Sequence, residues 1–269
     1  MKTSIIVCAY NEQDTIFNVV AACCKHNPEA EIIVVDDGST DDTEVVLETL
    51  SFHYDFAYLK LTENHGKNYA MAYGVEYATN EIILFFDANV TEVRKDHFSA
   101  MLTPLVSGKA ELVVGSPSGL TVDFSLNPYK TLLGQKALLK KDVLPILKDI
   151  SEIRYGVDTY ILLHYQTLGK RIHFAALHGL QIPTEALETP QLNTSATVQN
   201  ETFEVAHALL SNIDLMTKRL QNNIQKTQNY TQSTITSVQI ELNRRMKILK
   251  DRVGSIEMKS LKNAFQEAV

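Results

Sequence analysis

Asp36 and Asp37 close one short β-branched run, Asp87 closes another, and Asn11-Glu12 follows a third. Carboxylates gathered at neighbouring strand ends suit two tasks: holding ribose hydroxyls, or ligating a hard cation such as Mg2+ or Mn2+. Each acid also has a plainer use. Asp37 can serve as a turn residue ahead of a helix, and Asp87 can cap a turn. Their coincidence at several strand ends is what points to a site.

The elements that would position these acids alternate along the chain. Ser4 to Ala9, Glu31 to Val35, Phe56 to Leu61, Glu81 to Phe86 and Glu111 to Val114 read as strands. The runs Ile32-Ile33-Val34-Val35 and Ile82-Ile83-Leu84-Phe85-Phe86 are apolar on both sides, as in a sheet covered on both faces. Helices lie between them. Ile16, Val19, Val20, Cys23 and Cys24 follow helical spacing. Ser39 or Thr40 is placed to cap a helix carrying Val45, Val46 and Leu50, and Phe98, Met101, Leu102 and Leu105 mark another. Repeated βα units predict a mostly parallel sheet with helices on both faces and ligands at the carboxyl ends of its strands. Farther on, Gln135 to Leu147 reads as a helix that stops or kinks near Pro145. Gly156 to Leu168 reads as a helix ended by Gly169, and Lys170 to Leu177 as a strand.

Several of these segments resemble motifs of family 2 glycosyltransferases of the GT-A fold. The opening segments are Val7-Cys8-Ala9-Tyr10-Asn11-Glu12 and Val34-Val35-Asp36-Asp37-Gly38-Ser39-Thr40-Asp41-Asp42-Thr43. Glu63-Asn64-His65-Gly66-Lys67 is similar to the family's Asn-x-Gly-Lys stretch. Phe85-Phe86-Asp87-Ala88-Asn89 falls where the family carries an Asp-x-Asp metal motif, and Gly134-Gln135-Lys136 where many relatives carry an acceptor-side segment. The resemblance covers about residues 3–180. It implies that Ala9, Tyr10, Glu12, Asp37, Lys67 and Asp87 bind a UDP- or GDP-sugar, with Asp37 at the base or ribose. It implies Mg2+ or Mn2+ held by Asp87 and Asn89, where an amide replaces the usual second carboxylate, with His178 as a further ligand or merely solvated. Gly156-Val157-Asp158 resembles the Glu-Asp motif, so Asp158 is implied as the general base that takes the acceptor proton. Its plainer role is an acid at a helix N-terminus. The activity implied is inverting transfer of a sugar to the hydroxyl of a saccharide or lipid-linked acceptor. The alternatives are a polyprenyl-phosphate acceptor that needs no base, and a nucleotide-sugar-binding protein impaired in turnover by Asn89.

Bulk properties bound the remainder. Among 269 residues the net charge is −7, which argues against nucleic acid as a partner. The charge is uneven: −10 over residues 1–200 and +3 over 201–269. Three cysteines with no paired or zinc-like spacing read as thiols of a reducing compartment. No apolar run approaches the ~20 residues of a membrane span, and no leader is evident, so the expected location is cytoplasmic or peripheral on the inner membrane face. The expected organisation is a catalytic domain over 1–182, a polar linker over 183–200 and an amphipathic helical tail over 201–269. The tail's apolar stripe (Ala206, Leu210, Ile213, Leu220, Ile224, Ile235, Val238, Leu242, Leu249, Val253, Ile256) suits packing on its own domain or a homodimer. Arg244, Arg245, Lys247, Lys250 and Arg252 suit contact with an anionic membrane.

Overall fold

Alternating apolar side chains along each strand must be covered on both sides, and a layered α/β domain does this. A computed structural model describes residues 1–117, 134–152 and 157–181. In chain order the elements are β1 (Thr3–Ala9), α1 (Ile16–His26), β2 (Glu31–Asp36), α2 (Thr43–Ser51), β3 (Ala57–Lys60), α3 (Lys67–Tyr77), β4 (Ile82–Phe85), α4 (Lys95–Val106) and β5 (Leu112–Pro117). There follow β6 (Gln135–Leu139), α5 (Lys140–Val143), a 3-10 turn (Leu144–Ile146), α6 (Leu147–Glu152), α7 (Val157–Thr167) and β7 (Ile172–Leu177).

The strands form one seven-stranded sheet in the order β3-β2-β1-β4-β6-β5-β7. All are parallel except β6, which runs against both neighbours, with Phe85 opposite Lys136 and Val114 opposite Lys136. Ile5, Val7, Val34 and Leu84 face one layer, where they meet Ile16, Val19, Leu47, Phe98 and Met101 of α1, α2 and α4. Ile6, Ile33, Val35, Ile83 and Phe85 face the other, against Met71, Val75, Ile150, Ile161 and Tyr165 of α3, α6 and α7. Each such side chain contributes roughly 1.5–3 kcal/mol on burial, so this alternation fixes strand register firmly.

Two sequence expectations need correction. Gln135–Leu139 is a strand, not the start of a helix. Its residues favour helix intrinsically, but the slot between β4 and β5 offers a hydrogen-bond ladder and burial on both faces, and that tertiary context prevails. The helix after β2 is capped by Asp42, not Ser39 or Thr40, and Asp42 makes no side-chain cap bond. On that helix Leu47 is buried while Val45 is 58% exposed. The expected break at Pro145 coincides with the 3-10 turn. The three cysteines are free, and among the described residues no helix is long and apolar enough to cross a membrane. The linker over 183–200 and the tail over 201–269 lie outside the described residues.

Candidate active site

The loops after β1 and β2 are stitched to each other by the polar side chains of their own motifs. Asn11 adopts φ +56°; its backbone N–H donates to Ser39 Oγ at 3.0 Å and its Oδ1 accepts from the Thr40 N–H at 2.8 Å. The Glu12 N–H donates to Thr43 Oγ1 at 2.8 Å, and the Gln13 N–H to Asp41 Oδ2 at 3.2 Å. Gln13 Oε1 accepts from the Asp42 N–H at 3.0 Å. Most of the Ser-Thr-Asp-Asp-Thr run is therefore occupied in holding two loops together. Left to face solvent is Tyr10, 45% exposed. Glu12 bonds to Thr15 Oγ1 at 2.9 Å; burial pushes its carboxyl up, and the nearby negative charges of Asp87 and Asp41 add to this.

Asp36 ends β2, Asp37 follows it, and both are buried. Asp36 accepts from the Ser39 N–H at 2.9 Å and from the Tyr58 hydroxyl at 3.1 Å. The Asp37 N–H donates to the Ala9 carbonyl at 2.8 Å, which continues the β1–β2 ladder. The Asp37 carboxylate accepts from two successive backbone N–H groups, His65 at 2.9 Å and Gly66 at 2.8 Å. Burial pushes this carboxyl up, against the pull of the two bonds. Gly38 lets the 63–66 loop lie this close: its φ is +70°, and a Cβ there would stand 2.4 Å from the Glu63 carbonyl carbon.

Lys67 opens α3 immediately after that anchored loop, and its Nζ lies 2.7 Å from Asp87 Oδ1 at the end of β4. Gln135 at the start of β6 grips Asp87 twice, accepting its backbone N–H at 2.6 Å and donating to Oδ2 at 3.3 Å. Burial alone would raise the Asp87 carboxyl; the charges of Lys67 and Lys136, with these bonds, hold it below the ordinary value. Burial works against the Lys67 charge, but Asp87 and Asp158 outweigh it and hold the ammonium above the usual lysine value.

The next residue of β6, Lys136, points to the opposite face and meets Asp158 at the head of α7, Nζ to Oδ1 at 2.8 Å, with 3% and 10% of the two side chains exposed. Lys136 also donates to the Gly134 carbonyl at 2.8 Å. Of the residues expected at a site, Asp37, Lys67, Asp87, Glu12 and Asp158 thus gather within bonding or electrostatic reach along one sheet edge. His178 lies just beyond β7, three strands from β4, with an exposed side chain; its backbone carbonyl accepts from Arg94 and from His97 Nε2 at 2.9 Å. Asn89 is half-buried two residues past Asp87. Gln135 and Lys136 lie in the segment expected on the acceptor side; their bonds to Asp87 and Asp158 were not expected, because that segment was read as a helix and it is a strand.

Among the described residues no three His, Cys, Asp or Glu side chains gather as a metal cage. Mg2+ commonly binds through one or two carboxylates and substrate phosphates, keeping several waters. Asp87 and Asn89, two residues apart past β4, are of the types that hold such an ion; here the Asp87 oxygens are engaged by Lys67 and Gln135, so an ion brought in with a diphosphate would share that carboxylate with them.

The sequence matches the family model described as glycosyl transferase family 2 over residues 4–166. Among curated proteins, poly-beta-1,6-N-acetyl-D-glucosamine synthase of Staphylococcus epidermidis is 31% identical over 87 residues, 32% of this chain and 21% of that one. An undecaprenyl-phosphate 4-deoxy-4-formamido-L-arabinose transferase of Pseudomonas fluorescens is 29% identical over 139 residues, 48% of this chain and 39% of that one. The chain thus spans well under half the length of these relatives. Among solved structures, glucosyl-3-phosphoglycerate synthase from Mycobacterium tuberculosis, in complex with Mn2+, UDP and phosphoglyceric acid, superposes with a TM-score of 0.57 at 20% identity over 77% of each chain. That likeness concerns the fold.

Proposed function

The chain belongs to glycosyl transferase family 2, with an α/β domain of the GT-A type, and on that premise we propose that it is an inverting glycosyltransferase using a UDP- or GDP-sugar. The observation that carries this reading is Asp158, ion-paired and almost buried at the head of α7, within electrostatic reach of Lys67, whose Nζ bonds Asp87. In this scheme the acceptor hydroxyl gives its proton to the Asp158 carboxylate as its oxygen attacks the anomeric carbon. The bond from that carbon to the diphosphate oxygen breaks, and the nucleoside diphosphate leaves. Asp87 and Asn89 would hold Mg2+ or Mn2+, which when bound supplies positive charge to the departing diphosphate. Lys67 stands at the same carboxylate and contributes its own positive charge to the donor side. Tyr10, Glu12 and the anchored loops around Asp37 frame the nucleotide.

A second reading rests on the undecaprenyl-phosphate transferase relatives. A polyprenyl-phosphate acceptor is already ionised and attacks without a base. One experiment separates the two: release of nucleoside diphosphate from UDP-glucose, UDP-N-acetylglucosamine and GDP-mannose, with Mg2+ or Mn2+ present, in wild type and Asp158→Asn. Loss of a general base lowers the rate by ~10²–10⁴, with donor binding retained. A variant as fast as wild type would overturn the base assignment and favour the phosphate acceptor.

A further inference from the structure

We infer that Lys136 is a positioning residue that holds the Asp158 carboxylate aimed at the acceptor; this rests on the reading of Asp158 as the base. A lysine in a central strand is costly: its charge leaves water and must be compensated where it lies. Lys136 is 2% exposed, and its partners are the Asp158 carboxylate and the Gly134 carbonyl, each at 2.8 Å. Replacing such a pair by apolar side chains is often neutral or stabilising, so fold stability is a weak reason for having one. What this pair does provide is a fixed carboxylate. Asp158 Oδ1 is committed to Lys136, while the side chain keeps 10% exposure and is not sealed from an incoming hydroxyl.

The strand that carries Lys136 also explains how precise the placement is. Consecutive residues of β6 address opposite faces; Gln135 grips Asp87 and Lys136 grips Asp158. One strand therefore sets both the donor-side acid and the base. Its start is pressed against β5, because Gly134 has φ +139° and a Cβ there would stand 2.1 Å from the Gly115 carbonyl oxygen. Lys136 from β6 bonds Asp158, and Lys67 from the head of α3 lies within electrostatic reach of it while bonding Asp87 just past β4. Lys67 is bonded to Asp87, so Lys136 is the cation bonded to the Asp158 carboxylate.

The test uses nucleoside diphosphate release from the same three sugar nucleotides in the full chain and in Lys136→Met, Lys136→Arg, Asp158→Asn and the Lys136→Met/Asp158→Asn double variant. Lys136→Met is expected to lower kcat roughly 10²-fold, the cost of a misplaced catalytic group, with the donor KM retained. Lys136→Arg should restore much of the rate. The double variant should be no slower than Asp158→Asn alone, since Lys136 acts through Asp158. A Lys136→Met variant with wild-type kcat, or a double variant far slower than Asp158→Asn, overturns the proposal while leaving the base intact. Wild-type turnover in Asp158→Asn overturns the base and this proposal with it. If circular dichroism shows Lys136→Met unfolded, Lys136→Arg decides: a folded variant that keeps much of the rate supports the proposal, and one whose rate falls to that of Asp158→Asn refutes it.

Discussion

Asp37→Asn tests whether the acid just past β2 acts on the loop it touches. Its carboxylate accepts backbone N–H groups from His65 at 2.9 Å and Gly66 at 2.8 Å, and the residue is 2% exposed. Asparagine keeps one oxygen and presents an NH2 group to the other N–H. One hydrogen bond to a charged acceptor is lost and a peptide donor is left facing a donor, a change worth roughly 1.5–3 kcal/mol. Burial already pushes the Asp37 carboxyl up, so desolvation offsets part of what the charge contributes. The expected net loss is therefore about 1–2 kcal/mol. In a domain of this size that lowers the melting temperature by roughly 2–8 °C. Because Lys67 follows Gly66 directly and sits on Asp87, loosening the loop should also weaken UDP or GDP binding. Urea titration gives the stability change and calorimetric titration of UDP and GDP gives the affinity. A variant as stable as wild type that has lost nucleotide binding would refute the anchoring argument, and would assign the Asp37 carboxylate to the ligand instead.

Two further outcomes are expected. Gly38→Ala should cost more than ~2 kcal/mol, combining a left-handed backbone at φ +70° with a Cβ 2.4 Å from the Glu63 carbonyl carbon; a urea midpoint equal to wild type would show that the 63–66 loop moves away freely. The depressed Asp87 carboxyl should make the protein less stable in acid. A carboxylate lowered in the fold contributes stability above its unfolded value of about 3.9, and that contribution is lost as pH falls through the lower folded value. Asp87→Asn should flatten this part of the stability profile below about pH 4, and a profile superimposable on wild type would show that Lys67 and Gln135 do not hold the charge.

How far the site could be read from the chain depends on which physical signal each residue carries. β2 and β4 were legible because a strand covered on both sides must be apolar throughout, as Ile32–Val35 and Ile82–Phe85 are. Once those strands are parallel, Asp37 and Asp87 must share an edge, so the gathering of these acids followed from topology alone. β6 carried the opposite signal. Gln135-Lys136-Ala137-Leu138-Leu139 is built from good helix formers, and its pattern says nothing of the ladder offered by β4 and β5. Reading it as helix hid the alternation that sends Gln135 to Asp87 and Lys136 to Asp158. The capping error at α2 has a related cause. Ser39 and Thr40 look like caps because hydroxyls satisfy free N–H groups, and they do stand beside such groups. The partner is Asn11, far along the chain, which offers both a donor and an acceptor. In both cases a local preference met a long-range partner with more bonds to give, and it is at the edge where β1, β2 and β4 end and β6 begins that such partners concentrate. A site assembled from several strand ends is held by contacts distant in sequence, so local pattern reveals its acids more readily than the groups that hold them.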